Sequence, residues 1–121
     1  QAMKSMMVDA QKKAYQDGLD EATLHPYMWL VKGHYYSAGL NFYNFPYAFG
    51  LLFGKGLYAQ YQKHPESFLK NYDALLALTT KADAEDVALS MGIDITQKSF
   101  WQDSLEQIKK DIDEVIVLFK N

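Results

Sequence analysis

Trp101, Leu105, Ile108, Ile112, Val115, Ile116 and Phe119 recur at the three- and four-residue spacing that aligns side chains on one face of an α-helix. The stripe runs for about five turns, and Ser99 followed by Gln102 reads as a capping box at its start. A helix with so long an apolar face must lay it against other elements, which confines the chain to layered helical packing unless strands are present. The other periodic segments share the helical period. Met3, Met6, Met7, Ala10 and Ala14 mark a helix over 2–17 that Gly18 can end. Phe49, Leu52, Phe53, Leu57 and Tyr61 mark a second over 45–62, capped by Asn44 with Pro46 in its first turn. Phe68, Tyr72, Leu75, Leu76 and Thr79 mark a third, opened by His64-Pro65 and stopping near Leu78. Asp83 caps a fourth over 84–91, which Gly92 and Ile93 terminate. Between Asp20 and Leu40 the period is lost around Pro26, Gly33 and Gly39, so that stretch is an irregular connection. The expectation is an all-α fold, one domain over 1–121 with about five helices.

Length and charge remove several functions. A chain of 121 residues holds one ordinary core, and the 12 basic residues are all Lys against 15 acids, with no clustered basic stripe. Without the bidentate forks of Arg, nucleic-acid binding is not expected. The most apolar run, Ala48 to Tyr58, is interrupted by Lys55 and falls short of the ~20 residues that cross a bilayer, so no membrane association is expected. Cys is absent, which removes thiol nucleophiles and Cys-ligated zinc and fits a cytoplasmic protein. The chain opens on Gln1 with a helical pattern running by Met3, which reads as a cut chain.

The three His, at 25, 34 and 64, are not spaced to aim two imidazoles at one ion from a helix, and no metal site is expected within these residues. No glycine-flanked nucleophilic Ser and no phosphate-cradling loop occurs; Gly54-Lys55-Gly56 lies inside a helical pattern. Gly50 and Gly54, four apart, are instead the places where another backbone should approach. The unusual feature is aromatic density. Of 18 aromatic residues, seven lie between Tyr35 and Phe49. Phe42, Phe45 and Phe49 are expected in the core. Tyr35, Tyr36, Tyr43 and Tyr47 carry hydroxyls that need partners if buried, and Tyr43 and Tyr47 would share one helical face. With His34 they could line a polar, aromatic cleft. On spacing alone, core and site readings of Tyr43 and Tyr47 both stand.

The segments HPYMW at 25–29, GHYYSAGLNFYNFPYAFGLLFGKGLYAQYQ at 33–62, GID at 92–94 and SFWQDSL at 99–105 together resemble the C-terminal part of an oligoendopeptidase F, in the thimet-oligopeptidase-like zinc metallopeptidases. The similarity covers nearly the whole chain. It implies a parent hydrolase, an all-helical metalloprotease that cuts short peptides in a deep channel, with zinc held by an HExxH helix and a downstream Glu. Neither occurs in these 121 residues. The chain would then be a C-terminal fragment of the catalytic domain, inactive alone, binding no cofactor itself and partnered by short peptide substrates and the N-terminal catalytic part. In the family a His and Tyr segment faces the zinc, grips substrate backbone and donates hydrogen bonds to the oxyanion. Here it corresponds to His34 and Tyr36 for substrate binding and to Tyr43 and Tyr47 for transition-state stabilisation. Thimet-type members carry a longer Tyr-rich run, and Phe49 and Gly50 stand about where one of those tyrosines would; which hydroxyl is the donor stays open. The alternative is a self-contained helical module that holds a peptide or partner helix in its aromatic cleft without catalysis. A truncated parent would also leave apolar surface exposed on the first two helices.

Overall fold

In the computed structural model, which describes residues 1–120, the chain is all-α: α1 is Ala2–Tyr15, α2 is Phe45–Lys63, α3 is Pro65–Leu78, α4 is Ala84–Leu89 and α5 is Lys98–Phe119. No strand occurs among the described residues, and no helix of them is long and apolar enough to cross a membrane. The chain divides into two compact units, Gln1–Pro46 and the segment from Tyr47 onward.

In the first unit α1 stops two residues before the expected boundary. Gln16, at φ 49° and ψ −119°, leads a tight turn in which the Gly18 N–H donates to the Tyr15 carbonyl at 2.8 Å. This geometry ordinarily selects glycine, so Gln16 carries the backbone strain, not Gly18. The aperiodic stretch forms three short 3-10 turns, Glu21–Thr23, Met28–Val31 and Gly33–Tyr35. Gln11 fastens this connection to α1. Its buried amide donates to the His25 carbonyl at 3.0 Å and accepts the His25 N–H at 3.1 Å, so one side chain satisfies both polar groups of one peptide residue.

The second unit is built where α2 meets α5. Gly56 and Ala59 are buried on α2, and Phe100 and Ser104 on α5. A Cβ on Gly56 would fall 2.4 Å from Phe100 Cζ and 2.7 Å from Ser104 Oγ, whereas Gly50 and Gly54 have nothing within 4 Å. The backbone approach expected at Gly50 and Gly54 is therefore absent; the crowded glycine is Gly56, and the side chains of Phe100 and Ser104 crowd it. Phe53 stacks on Phe49 and tilts against Phe100, and Trp101 closes the cluster, its indole N–H donating to the Ile95 carbonyl at 2.7 Å. Lys55 pairs with Asp111 and Lys63 with Asp103, each at 2.5 Å; both pairs are partly exposed, so they fix register more than they add stability. Phe68 and Leu75 of α3 and Val87 and Ala88 of α4 add to the buried apolar set.

The helix ends follow the sequence signals in part: Asp83 stands at the N-cap of α4, but its side chain makes no capping hydrogen bond. Gly92 sits at φ 74°, and the Ile93 N–H reaches back to the Ala88 carbonyl at 3.1 Å, the expected glycine stop, although α4 itself closes at Leu89. The Ser99–Gln102 capping box does not form, because α5 begins at Lys98 and places Ser99 inside the helix. Asp94 organises the approach instead. Its carboxylate accepts from the Thr96 hydroxyl at 2.6 Å, the Gln97 amide at 3.0 Å and the Thr96 N–H at 2.9 Å, and these bonds, the Thr96 hydroxyl first, hold its pKa below the ordinary 3.8. A carboxyl depressed in the folded state stabilises above its unfolded pKa and loses that contribution as pH falls through the lowered value. Asp94→Asn should therefore melt below wild type near pH 6, and the gap should begin to narrow as pH falls below about 3.8 and close only once the carboxyl is protonated in the folded state as well. Thermal melts down to about pH 2 with an unchanging gap would show that the charge is not what matters.

Much apolar surface stays outside. Phe42 and Phe45, expected in the core, are 60% and 72% exposed, and Phe49 is also exposed. The α5 stripe is likewise uncovered in its second half, where Ile112, Val115, Ile116 and Phe119 are exposed. The covered face of α5 is the one carrying Phe100, Ser104 and Gln107, about 100° away around the helix.

Candidate functional site

The first unit holds three of the four residues singled out from sequence. Gly33–Tyr35 forms a 3-10 turn, and the Phe42 N–H donates to the His34 carbonyl, closing the loop between them. Closure puts Phe42 at φ 56°, a left-handed conformation that a bulky side chain adopts only when its surroundings impose it. Tyr43 follows directly, and its ring meets the His34 imidazole edge-on, with centroids 5.9 Å apart and planes at 73°. Sequence distance alone did not reveal that contact. Tyr43 is 44% exposed, so its ring is held on one side and open on the other.

Tyr36 is positioned differently. Its hydroxyl donates to the Leu30 carbonyl at 2.6 Å, so its proton is committed and its contribution to any ligand is the exposed ring. Tyr47 lies in the second unit, in the first turn of α2, and is 66% exposed. Because α2 begins at Phe45, Tyr43 precedes the helix, and the one-face relation expected for Tyr43 and Tyr47 does not hold. The reason is local: the left-handed Phe42 and the turn in which the Tyr43 N–H donates to the Leu40 carbonyl occupy the positions that an earlier helix start would need.

Among the described residues no group of three or more His, Asp or Glu side chains could hold a metal ion. His25 Nδ1 is occupied in accepting the Tyr27 N–H at 3.0 Å. Asp94, whose carboxyl is held below its ordinary pKa by the Thr96 and Gln97 hydrogen bonds, belongs to the turn ahead of α5 in the second unit.

A second feature of the first unit was not legible in the sequence. The Met face of α1 and the aromatic segment enclose an open cleft of about 490 Å³, with Met3, Met6 and Met7 on one side and Trp29, Tyr35 and Phe42 on the other. The Trp29 indole N–H is buried without a hydrogen-bond partner. A methionine stripe and a lone tryptophan both read as ordinary core from sequence, and only an orphaned donor distinguishes them. Compared with protein-family models, curated proteins and solved structures, the chain has no match.

Proposed function

We propose that this chain is the C-terminal part of a zinc metalloendopeptidase of the oligoendopeptidase F type, and that it supplies hydrogen-bonding side chains to a bound peptide. The observation that carries this reading is the His34–Tyr43 pair, a phenol braced on one side by an imidazole and open on the other. A core tyrosine would be covered, and a merely solvated one would not be braced. A hydroxyl on a stiff, positioned ring suits the stabilisation of an oxyanion, because a neutral donor fixed in advance needs no reorganisation as charge develops. Tyr47 is a second exposed phenol that can serve that role. His34 and the ring of Tyr36 suit the gripping of substrate backbone.

The described residues do not fit a zinc ion. On this reading the metal is held by other parts of the polypeptide, and no step through it is derived. The exposed apolar residues within each unit, Phe42 in the first and Ile112, Ile116 and Phe119 in the second, support the same reading, since a larger body would cover such surface. A second reading, a non-catalytic module that binds a peptide or partner helix, draws on the Met and aromatic cleft of the first unit.

Zinc analysis and a peptidase assay separate the two. The chain alone should retain no stoichiometric zinc after dialysis and cleave no quenched-fluorescent peptide, while the product of the full reading frame should do both. One equivalent of zinc kept by the chain alone and lost on substitution of His25 or His34 would overturn the proposal. So would a full reading frame that lacks an HExxH helix.

A further inference from the structure

We infer that His25 is a proton-operated latch of the first unit: as a neutral imidazole it holds Tyr27, Leu30 and Tyr36 in place, and as an imidazolium it releases them. Its Nδ1 accepts the Tyr27 N–H at 3.0 Å. An imidazole nitrogen accepts only while it carries no proton, so this bond requires the neutral ring with its proton on Nε2. Pro26 has no N–H, which makes Tyr27 the first backbone donor after His25. Two other turns use the same bond from a side chain to the N–H two residues on, Asp20 to Ala22 and Asp94 to Thr96, both at 2.9 Å. Their acceptors are carboxylates, which go on accepting throughout the neutral range. At His25 the acceptor disappears between about pH 8 and about pH 5.

The bond stands in a chain of residues that are each held by both polar groups of their backbone. Gln11 on α1 grips the His25 N–H and carbonyl. Tyr27 donates its N–H to His25 and accepts the Leu30 N–H on its carbonyl at 2.9 Å. The Leu30 carbonyl in turn accepts the Tyr36 hydroxyl at 2.6 Å. Losing the bond at Tyr27 therefore opens the connection between α1 and the Tyr36 phenol at its first side-chain link. The charges at this corner work in the same direction. Lys4 lies two turns ahead of Gln11 on the same face of α1, with its Nζ 4.4 Å from the centroid of the Tyr27 ring, and the imidazole meets that ring edge-on at 6.3 Å. A proton on His25 thus places a second positive charge beside the ring that Lys4 already covers. Lys12 is matched by Glu21 at 2.6 Å. The imidazole is exposed, so protons reach it directly from solvent.

Heteronuclear NMR on the chain tests the latch. A long-range imidazole spectrum near pH 8 should show His25 protonated on Nε2 and bare on Nδ1. Lowering the pH to about 5 should raise the opening of the Tyr27 and Leu30 amides, read from hydrogen exchange corrected for the intrinsic rate at each pH, by about threefold to tenfold. His25→Asn keeps an acceptor at the same place in the turn and does not titrate, so it should hold both amides equally well at the two pH values. His25→Ala, with no acceptor, should resemble the low-pH wild type at both. A proton on Nδ1 near pH 8 would overturn the proposal without recourse to any variant. So would exchange that changes with pH to the same extent in wild type and His25→Asn. The measurement involves neither peptide nor metal, so its failure leaves the peptidase reading untouched.

Discussion

Gly56→Ala should destabilise the second unit by about 2–3 kcal/mol, the largest loss expected from adding one methyl group to this chain. The new Cβ would meet the Phe100 ring at 2.4 and 2.7 Å and Ser104 Oγ at 2.7 Å. None of these can retreat cheaply. Phe100 is 3% exposed and is wedged between Phe53 and Trp101, and Ser104 is fully buried with its hydroxyl donated to the Phe100 carbonyl at 3.1 Å. Replacing glycine by alanine inside a helix gains up to about 1 kcal/mol of propensity, which offsets only part of the overpacking. Gly50→Ala and Gly54→Ala, with open space at both positions, should keep that gain and raise stability. Urea unfolding of the three variants therefore tests a change of sign within one helix. A destabilisation shared equally by all three would mean that α2 does not cross α5 at Gly56.

That contrast shows what sequence can and cannot carry. Periodicity is a local property, so the stripes of Phe68, Tyr72 and Leu75 and of Trp101 to Phe119 identify helices and their phases directly. Which neighbour covers a stripe is not local. Leu105, Ile112 and Phe119 are as regular as Phe100, Ser104 and Gln107, yet the second set is buried and the first is exposed. The three glycines of α2 are alike in sequence and differ only in what lies opposite. End signals succeed where backbone conformation admits one solution, as at Gly92, and fail where two polar residues compete, as when Asp94 organises the chain ahead of Ser99.

The candidate site follows the same division. Its residue types were legible as an aromatic, His-containing segment, but the pairing of His34 with Tyr43 depends on a loop closed by a left-handed Phe42, which no propensity favours. Phe42 and Phe45 misled for a related reason. Aromatic residues are usually buried, and burial is decided by partners that the segment's own sequence does not name.

In a zinc peptidase that contains this chain, Tyr43→Phe should lower kcat by about 100-fold while KM stays within about twofold. A hydroxyl that bonds the developing oxyanion acts mainly in the transition state, so its removal is read in kcat. Stability should change by about 1 kcal/mol at most, since the ring and its edge contact with His34 survive the loss of one oxygen. Tyr47→Phe is the parallel test, and the tyrosine with the larger kcat effect is the donor. His34→Ala distinguishes two roles for the imidazole. If His34 braces Tyr43, the variant should reproduce part of the Tyr43→Phe loss in kcat, and combining the two should add little. If instead it grips the peptide, KM should rise with kcat nearly intact. Should both Tyr→Phe variants keep kcat within about twofold at unchanged zinc content, neither phenol stabilises the oxyanion, and the assignment of this segment to the chemistry is wrong.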